Sequence, residues 1–161
     1  MTIIRESQTF DQRTIRLLIE HNDTVQRYHA LFALLDWCVV PDPSPSPSRP
    51  GKRPHPPSAF IKALLIKLTE DYANCTQLRR FLVEHPLLIL KLGFRPVLNV
   101  EQPYGFDVER TAPSARWFTH QQRTLDHRVL KDLFAATVQA LQEEIPGLGE
   151  VVAFDVKHQY A

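Results

Sequence analysis

The sequence predicts a mainly α protein, a helical bundle that leads into one short strand near its C-terminal end. Three observations carry this. Several segments place apolar residues three and four apart, which gathers them on one side of a helix. Asn, Ser or Asp stands where most of these segments begin, and Pro or Gly where several end. One run alone reads as strand: Val151 to Val156, short, apolar, following Pro146 and Gly147, and interrupted once by Asp155.

The elements follow in order. Met1 to Thr9 reads as a loose arm. Phe10 to Glu20 carries Phe10, Ile15, Leu17, Leu18 and Ile19 in a short helical pattern. Asn22 or Asp23 caps a second helix, Thr24 to about Val39, whose inward stripe is Val25, Tyr28, Leu31, Phe32 and Leu35. Asp36 within it has no assigned role. Ser58 is expected to cap the strongest helix, Ala59 to about Tyr72, with Phe60, Ile61, Leu64, Leu65 and Leu68 on a broad apolar face and Lys62 and Lys67 in solvent. A shorter helix starts at Asn74 or Thr76 and buries Leu78, Phe81 and Leu82, with Arg79 and Arg80 on its outer side. Pro86 opens another piece that stops at Gly93. Phe94 to Arg110 has no period and reads as a loop with one extended piece. Thr111 and Pro113 mark the start of a helix over Ser114 to about Thr124. After a break at Leu125, Asp126 caps the last helix, His127 to about Glu144. Its buried stripe is expected to be Leu130, Leu133, Phe134, Val138, Leu141 and Ile145.

Between Pro41 and Pro57 stand eight prolines. Proline locks its backbone and lacks an amide donor, so neither helix nor central strand persists there. With its serines the stretch reads as an extended tether, and Arg49, Lys52, Arg53 and His55 make it basic. It serves either as a plain surface linker or as a tether that also rests on phosphate through Arg49, Lys52 and Arg53. The expected domains are N-terminal helices (1–40), a Pro-rich basic linker (41–57), a helical DNA-binding domain (58–145) and the start of a catalytic domain (146–161).

The totals restrict the function classes. The 161 residues suffice for one modest domain, or a small one and the beginning of another. A net charge of +1 supplies no general affinity for nucleic acid, so any basic surface must be local. Cys38 and Cys75 form no CxxC pair and read as buried thiols of a reducing compartment. No apolar run is long enough to span a membrane, and the N-terminus has no signal-peptide block, which makes the expected location cytoplasmic. There is no internal repeat, no zinc-ligand spacing, and no glycine-rich phosphate loop, GxSxG or HExxH motif.

Two constellations carry possible chemistry. Arg116, His120 and Arg123 are spaced by four and three, which puts them on one side of a helix. His127 joins them only if that helix runs through the break. Gln121 and Gln122 can address base edges, and Arg128 adds a cation at the start of the next helix. This face reads either as an ordinary solvated surface or as the second helix of a helix-turn-helix in a DNA groove. The second constellation is Asp155. A carboxylate in an apolar strand is costly to bury unless it has a partner or a metal.

Taken together, three stretches resemble the N-terminal region of bacterial insertion-sequence transposases of the DDE class. They are Pro56 to Phe94 (PPSAFIKALLIKLTEDYANCTQLRRFL and on to KLGF), Thr111 to Asp126 (TAPSARWFTHQQRTLD) and Ile145 to Ala161 (IPGLGEVVAFDVKHQYA). The resemblance implies a helix-turn-helix-like helical part followed by the isolated first strand of a ribonuclease-H-like α/β fold. It implies that Asp155 is the first of three catalytic carboxylates and a ligand of Mg2+, a hard cation suited to oxygen ligands. It implies double-stranded DNA at transposon ends as the partner, with Arg116, His120, Gln121, Arg123 and Arg128 as its contacts. The two further carboxylates are not in this sequence, so the chain is expected to be truncated, inactive alone in strand transfer, and without tight Mg2+ binding. The alternative reading is a non-catalytic helical interaction or regulatory module. It would dimerise, with its own copy or a full-length transposase, through the helices Ala59–Tyr72 and His127–Glu144.

Overall fold

Six of the helices begin at a side chain that accepts one of their free amide hydrogens. The computed structural model describes residues 11–42 and 54–149. Within them α1 (Gln12–Glu20) is capped by Asp11 and α2 (Asp23–Ala33) by Asn22. α4 (Cys75–Glu84) has a full capping box between Asn74 and Gln77. α6 (Val108–Thr111), α7 (Ala115–Thr124) and α8 (His127–Glu144) are capped by Asp107, Ser114 and Asp126. α5 (Pro86–Leu92) opens on a proline and ends at Gly93, whose φ of 96° closes the helix in the left-handed conformation that glycine adopts without strain.

α3 (Pro57–Thr69) starts differently. Pro56 is its N-cap and offers no side-chain hydrogen bond, while Ser58, the expected cap, is buried inside the first turn. The capping group comes from across the proline-rich stretch. Asp42 accepts the Ser58 amide at 2.9 Å through Oδ1 and the Ser58 hydroxyl through Oδ2. The two ends of that stretch are thereby tied together.

α2 is shorter than its apolar stripe suggests. Leu34 and Leu35 already leave the helix, and Trp37–Val39 forms a 3-10 turn instead. The reason is local competition. Asp36 accepts the Cys38 amide at 3.0 Å, and Trp37 Nε1 donates to the Phe32 carbonyl at 2.8 Å, satisfying a carbonyl at the helix end. Asp36, given no role from sequence, caps the turn. Cys38 is exposed, against expectation, and Cys75 is buried.

The core is one cluster shared by α2 to α5 and α7. Tyr28 and Phe32 meet Phe60, Ala63 and Ile66, with Leu78, Leu82, Leu88, Ile89 and Leu92 around them. At its centre Phe60, Phe94 and Phe118 pack edge to face, with ring centroids 5.4, 5.7 and 6.0 Å apart. The loop expected over Phe94 to Arg110 holds two strands, β1 (Val97–Leu98) and β2 (Phe106–Asp107), paired antiparallel with Val97 opposite Asp107. Thr111, expected to start a helix, ends α6. Its buried hydroxyl accepts the Val97 amide at 2.9 Å and donates to the Asp107 carbonyl at 2.6 Å, fastening the hairpin to α6.

The described residues are therefore a mainly helical bundle with a small two-stranded antiparallel sheet appended. Nothing in them is ribonuclease-H-like, and the expected strand Val151 to Val156 lies outside the described residues. Among these residues no helix is long and apolar enough to cross a membrane.

Candidate interaction surface

α8 has two apolar sides. At about 100° per residue, Val129, Leu133, Ala136, Thr137 and Ala140 lie on one line, and Leu130, Phe134, Val138 and Leu141 on another about 115° away. The first line meets the protein. Leu133 is buried against Val40 and Ile61, with Leu125, Val129 and Trp37 packed around them. Thr137 is also buried, and its hydroxyl donates to the Leu133 carbonyl at 2.7 Å. The second line meets it only in part, with Val138 and Leu141 half-buried. Phe134 is 71% exposed, and Leu130 and Ile145, just past the helix end, are exposed as well. The six-residue buried stripe expected from sequence is thus corrected. α8 buries Leu133, leaves Val138 and Leu141 half-buried, and turns Leu130 and Phe134 to solvent. The pattern was ambiguous because one helix carried enough apolar residues for two faces.

This second line continues onto α3. α3 is apolar on nearly every side. Its buried residues include Phe60, Ile61, Ala63 and Ile66, while Leu68 is 71% exposed. Between the two helices runs an open groove of about 290 Å³ walled by Ile61, Leu64, Leu65 and Leu68 on one side and Leu125 and Leu130 on the other, with Lys67, Gln122 and His127 at its edge. Phe134 stands one turn beyond Leu130 on the same side of α8. Large side chains exposed one by one are ordinary. A contiguous apolar strip lined by polar groups is the usual sign of a surface meant to be covered.

The residues singled out by charge are placed as follows. Arg116, His120 and Arg123 are all exposed on α7, and Gln121 is half-buried. Trp117 is 47% exposed and stacks on His120, with ring centroids 4.9 Å apart, while Phe118 anchors the other side of the helix in the core. Gln122 faces α4, where its Oε1 lies 3.8 Å from the Cys75 thiol. α7 ends at Thr124, and Leu125 and Asp126 redirect the chain, so His127 and Arg128 belong to α8. Arg49, Lys52 and Arg53 lie outside the described residues, as does Asp155. Among the described residues no group of three or more His, Cys, Asp or Glu is placed to hold a metal.

His55 was counted among the linker cations. It is half-buried, and its Nδ1 accepts the Arg95 amide at 3.0 Å, which requires a lone pair on that nitrogen. Its ring packs edge-on to Phe94 at 5.2 Å. It is a structural residue of the core rim. Beside it Pro54, Arg110, Ser114, Trp117 and Gln121 border a second, open cleft of about 480 Å³. Lys62 was expected in solvent. Its ammonium sits 4.6 Å from the centre of the Trp37 ring, and burial holds its pKa below the usual lysine value.

No protein-family model matches the chain, and neither a curated protein nor a solved structure matches it. This corrects the resemblance drawn from the three sequence stretches. The terms that followed from it (transposase, transposition, insertion sequence, DNA recombination, DNA binding and helix-turn-helix) have no support in these comparisons. Two of the stretches have local structural explanations, and the third, from residue 150 on, lies outside the described residues. Pro56 to Phe94 holds the core helices α3 to α5. Thr111 to Asp126 holds α6's last residue and α7, seated on the core by Phe118.

Proposed function

We propose that this chain is a helical interaction module whose working surface is the groove between α3 and α8, and that its partner is an amphipathic helix. One observation carries the reading: Leu68, Leu130 and Phe134 form an exposed apolar line on two helices whose other sides are fixed in the core. Such a surface suits a helix that offers leucine-type anchors three and four residues apart. The seat is firm where it matters. Leu133 and Val129 hold the first half of α8 against Val40, Ile61 and Trp37.

The surface is tested with the dye 8-anilinonaphthalene-1-sulfonate at about 1 μM protein, with near-UV circular dichroism recorded alongside to establish native packing. Native protein should enhance and blue-shift the dye emission. The double substitution Leu68→Lys and Phe134→Lys should remove most of that signal and leave the near-UV spectrum unchanged. Emission that persists in the double variant would place the dye elsewhere and end this assignment.

A further inference from the structure

We infer that the helix occupying this surface is α8 of a second copy of the chain, lying antiparallel to the first. The inference rests on the interaction-module reading above and names its partner.

Two properties of α8 point to a second copy, and a third sets how tightly it would bind. First, α8 is itself the kind of helix the surface suits. Leu130, Phe134, Val138 and Leu141 are spaced by four, four and three, the spacing that lets one apolar line interdigitate with an identical one. An isologous pair buries both lines at once, and a single sequence supplies both halves.

Second, the net charge of the helix changes sign along its length. Its first nine residues hold Arg128, Lys131 and Asp132, together with His127, and its last nine hold only Glu143 and Glu144. Antiparallel packing sets the cationic half of one copy beside the anionic half of the other. It also opposes the two helix dipoles. Parallel packing would place Glu143 and Glu144 beside their own copies and align the dipoles. The complementarity lies in the two halves and names no single ion pair. A formal net charge of +1 leaves no strong repulsion between whole copies.

Third, the size of the surface sets the strength. Leu130 to Leu141 spans about 16 Å of helix at 1.5 Å per residue. A contact of that length, with Leu68 at its edge, falls in the class of weak, transient interfaces that bury less than roughly 1,200 Å² in total. The pair should therefore form reversibly, with a dissociation constant on the order of 10–100 μM.

Sedimentation velocity on the full chain from about 2 to 500 μM tests the association. The expected result is a monomer at the low end and a dimer at the high end. Phe134→Lys and Leu130→Lys should each weaken the association about tenfold or more, with unchanged far-UV circular dichroism and an unchanged urea midpoint at low concentration. Orientation is read in a Cys38→Ser background, because Cys38 is the exposed thiol. Under mild oxidation at high concentration, a mixture of Leu130→Cys and Leu141→Cys chains, which face each other in an antiparallel pair, should give the mixed disulfide dimer, and Leu130→Cys alone should not. A ready Leu130→Cys disulfide dimer would overturn the antiparallel arrangement. A monomer at every concentration would overturn the second copy as the occupant. If the dye result still held, the interaction surface itself would stand; if the dye signal also survived the double substitution, both readings would fall together.

Discussion

Two phenylalanines sixteen residues apart give the sharpest test of how the helices are seated. Phe118 on α7 is fully buried between Phe60 and Phe94, and Phe134 on α8 is 71% exposed. Phe118→Ala removes a buried ring and leaves a cavity at the centre of the core, which costs about 3–5 kcal/mol. That is a large part of the roughly 5–15 kcal/mol by which a domain of this size is stable. Phe134→Ala loses less than a third of a ring's burial, under about 1 kcal/mol. Alanine's better helix propensity returns about 0.5 kcal/mol of that. The net cost should be within about 0.5 kcal/mol of zero. Urea unfolding followed by circular dichroism at about 1 μM, where the chain is monomeric on the size argument, measures both variants. A cost above about 2 kcal/mol for Phe134→Ala would mean that its ring is covered in the monomer, and the apolar line would no longer be a free surface. A cost below about 1 kcal/mol for Phe118→Ala would refute the placement of α7 on the core.

Asp42→Ala should cost about 1–2 kcal/mol in the same assay, because the Ser58 amide and hydroxyl at the start of α3 both lose their acceptor. Gly93→Ala should cost about 1 kcal/mol. The cost is purely conformational, because φ is 96° while an added Cβ would meet only Pro56 Cγ at 4.0 Å. Asn74→Ala removes the capping box of α4 and should cost about 1 kcal/mol. Tyr28 gives a pH signature. Burial first, and then the Glu70 carboxylate that accepts its hydroxyl at 2.6 Å, raise its pKa well above the ordinary tyrosine value. From about pH 10 upward the unfolded chain loses this proton while the folded chain keeps it, so the folded state binds more protons and stability falls as pH rises. The contribution is fully present below that pH. Tyr28→Phe should flatten the alkaline fall in urea midpoint, and an unchanged slope would remove Tyr28 as its source.

The last helix was legible in sequence to the residue, and its surroundings were not. His127 to Glu144 and the break at Leu125 and Asp126 are marked by local signals: an N-cap aspartate, an apolar period, and Pro146 with Gly147 beyond the end. The caps at Asn22 and Asn74 and the stop at Gly93 are equally local. The failures need a partner distant in sequence. Asp42 caps α3 across the prolines, Thr111 serves the hairpin instead of a following helix, and His55 accepts from Arg95 forty residues on. Periodicity reports which residues share a side of a helix. It does not report whether anything lies against that side, so Leu130, Phe134 and Leu68 read as core.

That distinction also separates the charged row on α7 from the apolar line on α8. Arg116, His120 and Arg123 share one side of α7, but any helix with its opposite side in the core presents such a row to water. Phe118 on the inner side is enough to explain why the row faces water. The apolar line on α8 is different, because water does not account for it. Burying it in the monomer would need a further element beside α3 and α8, and among the described residues none makes that contact. Leaving it bare forgoes the free energy of burying Leu130, Phe134 and Leu68, each worth up to about 1.5–3 kcal/mol when fully covered. A helix that turns Leu130 and Phe134 to water, with a net positive first half and a net negative second half, is better explained by what it meets than by the fold that holds it. The association test follows directly: if α8 meets its own copy, lysine at Phe134 separates the chains without unfolding them.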